Sequence, residues 1–436
     1  MKARWMASPA QWVIAAAALS LISNRLGWMV PAVWVAGAGL ASIDSFRNGQ
    51  RLDRKLLLAT IAVWAFWTLS FAMTGESWRT FASFEFQRRD GQIFFCLFPL
   101  LAVAAAKPSS RQVSWILGAF LAVQGFVALT ASCFDLVGKR KLLTGLLFWV
   151  DEGPPVANYC GLYFAHNAVG SVQGLGCLVS ATLAAFDPED RRRKFWGILA
   201  IPLLWGVLLS RSRGSLIAMG LGLIVLAVLA VRQGRLKVKG LLLIGIVVVL
   251  TGSLFGVRLV HRLEELGVAG GTQTWRLDIW KRALGEWYDS PIVGEGLGRF
   301  NDLDREWSGI RHVYYVVTRA TVVNNAFHAH NSYVHFLAEG GILGLGITVG
   351  FWGWIAWKLR GSREPFRVAA FLGVLYLFAI SMTEHYMGGG ALLLVLSSIV
   401  GAAWSLPEPS PTSSRVTSAG GSIPASASPA PSPSPR

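Results

Sequence analysis

GILAIPLLWGVLLSRSRGSLIAMGLGLIVLAVLAVR, residues 197–232, decides the fold class. Two apolar runs, each close to the ~20 residues needed to cross a bilayer, are separated by little more than Arg211-Ser212-Arg213-Gly214. A third run, LLLIGIVVVLTGSLFG, covers 241–256, and others recur along the whole chain. Such segments are too long and too uniformly apolar for barrel strands, so helices must satisfy their backbone groups in lipid. Their recurrence excludes a single signal peptide followed by a soluble domain.

Composition agrees. Of 436 residues, 53% are hydrophobic and only 15% charged, where a soluble globular chain carries about 25% charge. The apolar segments fall at about 9–25, 27–43, 56–74, 91–107, 112–133, 158–186, 195–210, 214–231, 240–256, 337–357, 368–384 and 388–405. The expectation is an all-α polytopic membrane protein with about 12 transmembrane helices and one large periplasmic loop. The formal charge of +16 resembles that of a nucleic-acid binder, but its placement matters more than its sum. With the N-terminus inside, the cytoplasmic loops hold Arg47 to Lys55, Lys107/Arg111, Arg191 to Lys194, Arg232 to Lys239 and Lys358 to Arg367. The short outer loops hold fewer basic residues, as the positive-inside rule requires. Both ends are therefore expected in the cytoplasm of a bacterial inner-membrane protein, with no nucleic-acid partner.

The expected organisation is a nine-helix membrane region (1–256), a large periplasmic loop (257–336), a three-helix membrane region (337–406) and a Pro/Ser/Ala-rich cytoplasmic tail (407–436). The tail lacks an apolar pattern and is expected to be disordered. Cys96, Cys133, Cys160 and Cys177 lie in or beside apolar segments without metal-ligand spacing, and read as packing residues.

Three polar features need an explanation. In LLSRSRGSLIAM (208–219), Arg211 and Arg213 sit at the outer boundary of the membrane. They are either interfacial anchors or an anion clamp, assisted by the amides of the helix that starts there. In the large loop, TWRLDIWKRALGEW (274–287) has an amphipathic helical rhythm. Trp275, Ile279, Leu284, Trp280 and Trp287 can pack on lipid or bundle, with Arg276, Asp278, Lys281 and Arg282 on other faces. PIVGEGLG (291–298) reads as a turn returning the chain to the membrane, since its glycine spacing matches no nucleotide motif. The third feature is HAHNSYVHFLAEGG (328–341). His328 and His330 could begin a metal site, but His335, His312 and Asp304 offer no recognisable ligand spacing, so no metal is expected. A poised imidazole able to take a proton near neutral pH is the better functional reading. A helix-capping role is the plainer one, and Asn331 or Ser332 can fill it.

These words occur together in a known arrangement. HAHNSYVHFLAEGGILG (328–344), Ser212-Arg213-Gly214, TWRLDIWKRAL…DSPIVGEGLGRF (274–300) and GLYFAHNAVGSVQGLG (161–176) resemble the O-antigen ligase / O-antigen polymerase superfamily in order and interval. The resemblance covers about 160–345. It implies cofactor-free, metal-independent transfer of a glycan from an undecaprenyl-pyrophosphate carrier to a sugar hydroxyl, on lipid A-core for a ligase or on another lipid-linked repeat for a polymerase. Protein O-oligosaccharyltransferases share the scaffold. By the same resemblance His330, Arg276 and Arg213 are the expected catalytic residues. Arg211, Arg282, Arg299, His328, Asn331, Tyr314 and Tyr315 are further substrate-binding candidates, and membrane lipids are the surrounding partners. Glu339 reads either as an arginine partner or as a charge at the membrane rim. A transporter would be favoured by buried mid-membrane charge and repeated halves, for which the polar start of 158–186 is the best foothold. A purely structural membrane protein would leave the converging His and Arg groups unexplained.

Overall fold

A computed structural model describes residues 43, 47, 52–83, 86, 90–136, 150–151, 158–159, 166–235, 273–301 and 328–407. Expected segments 9–25, 27–43 and 240–256 lie wholly or almost wholly outside these residues, as do Tyr314, Tyr315 and the tail. The regular structure of the described residues is helical apart from two two-residue strands, Val150–Asp151 and Asn158–Tyr159, paired antiparallel. In chain order the helices are α1 (Arg54–Ala72), α2 (Trp78–Ala82), α3 (Gln92–Ala106) and α4 (Ser110–Leu136). They continue with α5 (His166–Phe186), α6 (Asp190–Ser210), α7 (Arg213–Arg232), α8 (Gln273–Asp289), α9 (Ser332–Leu359), α10 (Pro365–Ile380) and α11 (Ala391–Ser405).

Six of the described helices are long and apolar enough to cross a membrane: α1, α4 over Ser110–Thr130, α5, α6, α7 and α9. Helices α3, α10 and α11 are apolar but shorter. These nine coincide with nine of the twelve expected segments.

The α5 helix is the axis of the bundle. It is the most enclosed of the six, with 83% of its apolar window buried, and it packs on α6, α7 and α10. Neighbouring helices bond to it at two points: the backbone carbonyl of Ser171 accepts from the Tyr376 hydroxyl at 3.0 Å, and Gln173 Nε2 donates to the Gln124 carbonyl at 3.2 Å. In a low-dielectric interior a polar group needs such a partner or costs a few kcal/mol. Of the described residues that gave a transporter its foothold, Gln173 bonds a neighbouring helix, Ser171 Oγ bonds Ala168 O within α5, and Asn167 bonds Glu384.

The chain reversals gather at two ends. At one, Asp53 caps α1 and accepts from Trp404 Nε1 at the end of α11 at 3.1 Å, while Asp187 meets Arg192 at 3.2 Å between α5 and α6. Arg54, Lys55, Lys107, Arg111, the run Arg191 to Lys194, Arg232, Arg235 and the stretch Lys358 to Arg367 fall at reversals of this end. The other end collects the starts of α3, α5, α7, α9 and α11 and the ends of α1, α6 and α10. Gly214 approaches Thr383 so closely that a Cβ would lie 2.1 Å from its hydroxyl, which joins the start of α7 to the end of α10.

Helix α9 begins at Ser332, five residues before the expected segment, because Asn331 caps it by accepting from the amides of Tyr333 and Val334. It is broken at Gly341, whose φ of 61° and ψ of −161° are not helical. The break uncouples Ala338 O from Ile342 N and Glu339 O from Leu343 N, the usual i to i+4 partners. The segment 291–296 satisfies all four groups. Glu295 N donates to Ala338 O and Gly296 N to Glu339 O, both at 2.9 Å. Ile342 N donates to Pro291 O at 2.9 Å and Leu343 N to Ile292 O at 3.1 Å. Glycine is required on both sides: Gly294, at φ 70°, and Gly341 would each place a Cβ 2.3 Å from the opposing backbone. PIVGEGLG is therefore not a simple turn. It is an insert that completes a broken helix by supplying its four missing backbone partners.

Candidate active site

The cluster at the second end is built from four places in the sequence. Asn331 starts α9 and so fixes where the chain before it lies. His330 adopts a left-handed φ of 49° immediately before that cap, a conformation costing a non-glycine residue on the order of 1–3 kcal/mol. Its amide donates to His328 Nδ1 at 3.2 Å, which offsets part of the cost and folds the two imidazoles together at 4.3 Å between centroids. Ser332, fully buried, receives the Met387 amide at 3.1 Å and donates its own amide to Ser381 O at 2.8 Å. Those bonds clamp the link between α10 and α11 against the start of α9.

The link carries Glu384, a residue for which sequence reasoning had no role. Glu384 Oε1 stands 2.5 Å from His330 Nδ1 and 3.4 Å from His328 Nδ1. Its Oε2 accepts from Asn167 Nδ2, at the start of α5, at 3.1 Å and lies 4.0 Å from Arg276 Nη2. Arg276 also donates to Thr383 O at 3.1 Å. Glu384 is 12% exposed, against 23% for His330 and 33% for Arg276, so the carboxylate stands behind the two groups a substrate would meet.

Electrostatics sharpen this picture. Burial alone would raise the Glu384 carboxyl, but the His330 hydrogen bond and the charges of His328, His330 and Arg276 hold it below its ordinary range. Burial lowers His328 to about 4, against the opposite pull of Glu384. A neutral His328 fits its bonding, because an Nδ1 that accepts an amide proton carries none of its own. Burial also holds the neighbouring His385 well below the usual histidine value, with His335, His328 and His330 acting in the same sense.

This arrangement supports proton transfer. A carboxylate on Nδ1 selects the tautomer with the proton there and leaves the Nε2 lone pair able to accept one. His328, His330 and Glu384 also bring three donor atoms within 4.8 Å of one another, a spacing a divalent cation could use. Coordination through His328 Nδ1 would forfeit the bond from the His330 amide.

The other expected residues divide. Arg213 is the first residue of α7 and Arg211 caps α6 at φ 55°; both side chains are exposed beside the Gly214–Thr383 contact, at the end of the bundle where His330 lies. Arg282 and Arg299 are engaged by the protein. Arg282 is buried, bonds Glu286 at 3.2 Å and Phe300 O at 2.6 Å, and lies over the Phe300 ring. Arg299 reaches Thr74 O and Glu76 Oε1, the latter at 3.4 Å, past the end of α1. The inward face of α8 is therefore Ile279, Arg282, Ala283 and Glu286, with Leu284 turned out at 41% exposure. Glu339 is neither an arginine partner nor a rim charge: it is buried and bonds His335 and the amides of Gly298 and Phe300.

One signal could have revealed Glu384. In LFAISMTEHYMGGG (377–390) a carboxylate and an imidazole interrupt apolar sequence, and an ionisable group at such a place is a functional candidate by default. Nothing local names its partner, since His330 is 54 residues away.

No curated protein matches the chain at a significant level. Residues 198–349 match the protein-family model described as O-antigen ligase. The matched stretch contains Arg211, Arg213, Arg276 and His330 and ends before Glu384. That stretch is thus similar to the O-antigen ligase family, and the apolar helices that flank and fill it are those of a multi-pass membrane protein.

Proposed function

We propose that the protein is an O-antigen ligase-like glycosyltransferase, moving a glycan from an undecaprenyl-pyrophosphate carrier to a sugar hydroxyl of lipid A-core at the periplasmic face of the inner membrane. The observation that carries this reading is the Glu384–His330 pair with Arg276 beside it. Glu384 holds the proton on His330 Nδ1. His330 Nε2 then takes the proton of the acceptor hydroxyl as its oxygen bonds to the anomeric carbon. The bond from that carbon to the diphosphate oxygen breaks, and undecaprenyl diphosphate leaves with the electron pair. Arg276, Arg213 and Arg211 meet the charge that develops there, and the guanidinium fork suits phosphate oxygens. The first amides of α7 add a partial positive charge in the same direction. Energy comes from the donor's own sugar–diphosphate bond.

The test is deletion of the gene in its host and complementation with wild type, His330→Ala or Glu384→Gln, each at matched expression. Loss of glycan-capped core with accumulation of full-length lipid-linked polymer is the expected phenotype. Removing a general base typically costs 10²–10⁴-fold in rate, and both variants should fail to complement. Accumulation of single-repeat intermediates would instead make the protein a polymerase of lipid-linked repeats. Normal capping by His330→Ala would overturn the catalytic assignment.

A further inference from the structure

The arm 273–301 carries Arg276 near its start, while α9 carries His330 just before its own. The two are separate in sequence, and charge at the diphosphate must be met while a proton moves at His330. Their mutual register is set at the site itself, where Arg276 donates to Thr383 O at 3.1 Å, and by further contacts along the arm. Trp280 Nε1 donates to Ala329 O at 2.8 Å, and Ile279, Ala283, Phe300, Ala329 and Ala338 form a small core of their own. At the far end of the arm, 291–296 completes the break in α9.

Glu339 stands at that junction. Its Oε1 accepts from the amides of Gly298 at 3.0 Å and Phe300 at 3.3 Å, and its Oε2 lies 3.3 Å from His335 Nε2. Its backbone oxygen takes the Gly296 amide at 2.9 Å and the Ser70 hydroxyl at 3.3 Å, which ties α1 to the same point. The residue is 1% exposed. A carboxylate removed from water in this way persists only if its hydrogen bonds replace the water it loses. Here most of them come from the arm. His335 in turn lies against His385 at 4.0 Å between centroids, next in sequence to Glu384.

We propose that Glu339 is a positioning residue, whose buried carboxylate holds the arm in the register that presents Arg276 to the substrate bound at His330. It does not touch substrate. It acts through the arm, and the proposal rests on the transfer reading above only for its effect on rate. Displacement of a charged group by about 1 Å costs on the order of 10²-fold in a positioned reaction. Glu339→Gln keeps an oxygen for the Gly298 and Phe300 amides and should retain much of the activity; Glu339→Leu keeps none.

Two measurements on the full-length protein in lipid nanodiscs test this. Amide hydrogen exchange should quicken in 291–301 for Glu339→Leu while α5, α10 and α11 keep their protection; unchanged exchange in 291–301 overturns the proposal. Transfer from a polyprenyl-diphosphate-linked glycan should fall about 10²-fold for Glu339→Leu, with partial rescue in Glu339→Gln. Added to Arg276→Ala, Glu339→Leu should cost little more, since the arm would then have no charge to present. Multiplied losses would mean an independent role and overturn the proposal. If Glu339→Leu fails to fold, Glu339→Gln supplies the same cycle, and full independence from Arg276→Ala again overturns it. Absence of transfer in the wild type would refute the functional reading and leave the exchange result to decide the role of Glu339.

Discussion

At the scale of single residues, the site is organised by what burial does to charge. Glu384 is ionised because imidazoles and a guanidinium surround it, and His328 is neutral because the same enclosure disfavours a second positive charge beside Arg276. Both groups make stability depend on pH in the same direction. His328 titrates near 6.5 unfolded and at about 4 folded. Between those values the unfolded chain binds more protons, so stability rises with pH and is lost as pH falls from 6.5 towards 4. Glu384, depressed from 4.5, stabilises the fold above that value and is lost as pH falls through its lower folded value. Thermal unfolding in nanodiscs should therefore show a melting temperature that declines below about pH 6.5. His328→Gln should flatten part of the decline; His385, depressed in the same sense, keeps the rest. A melting temperature level from pH 7 to pH 4.5 would contradict the neutral assignment of His328.

Helices supply the precision those residues need. An amphipathic α8 was legible in TWRLDIWKRALGEW, but the side it buries was not. Apolar pattern alone places Arg282 outward with the other charges. The structure buries it because Glu286, one turn on, neutralises it, and Phe300 offers both a carbonyl and a ring face. Such a pair is costly to break, since the remaining charge is stranded. Arg282→Ala should destabilise the arm by about 3–5 kcal/mol, whereas Arg282→Met with Glu286→Leu should recover most of it. Thermal unfolding and exchange in 273–301 read both; equal loss in the single and double variants would refute the pairing. The break in α9 belongs to the same scale. Gly340-Gly341 looks like ordinary small-residue packing in a membrane helix until Pro291 to Gly296 is found against it.

For the molecule as a whole, polarity is divided between two ends. The end bearing Arg54, the run Arg191 to Lys194 and Arg363 is the basic one, and in the proposed orientation, which follows the positive-inside rule, it is the cytoplasmic end. That orientation would turn His330, Glu384 and Arg276 to the periplasm. In a background with Cys133 and Cys160 replaced by serine, Tyr288→Cys on the exposed face of α8 should react with an impermeant maleimide in intact spheroplasts. Arg363→Cys should react only after permeabilisation. The reverse pattern would invert the protein and remove the periplasmic reading of its site.

The sequence by itself determined that this chain is a bundle of membrane helices, because apolar length is a local property that lipid reads directly. It also marked His330 and Arg213 as unusual residue types beside apolar runs, while Arg276 was picked out only by the resemblance of its surroundings to a known family. Tertiary structure decided which of these meet and what stands behind them. Glu384 is joined to His330 across 54 residues and Glu339 to Gly298 across 41. Such pairings exist only once the α10–α11 link is clamped on α9 and the arm fills the gap at Gly341. No local pattern encodes them, because hydrogen-bond partners of a buried carboxylate are chosen by the packing of whole helices.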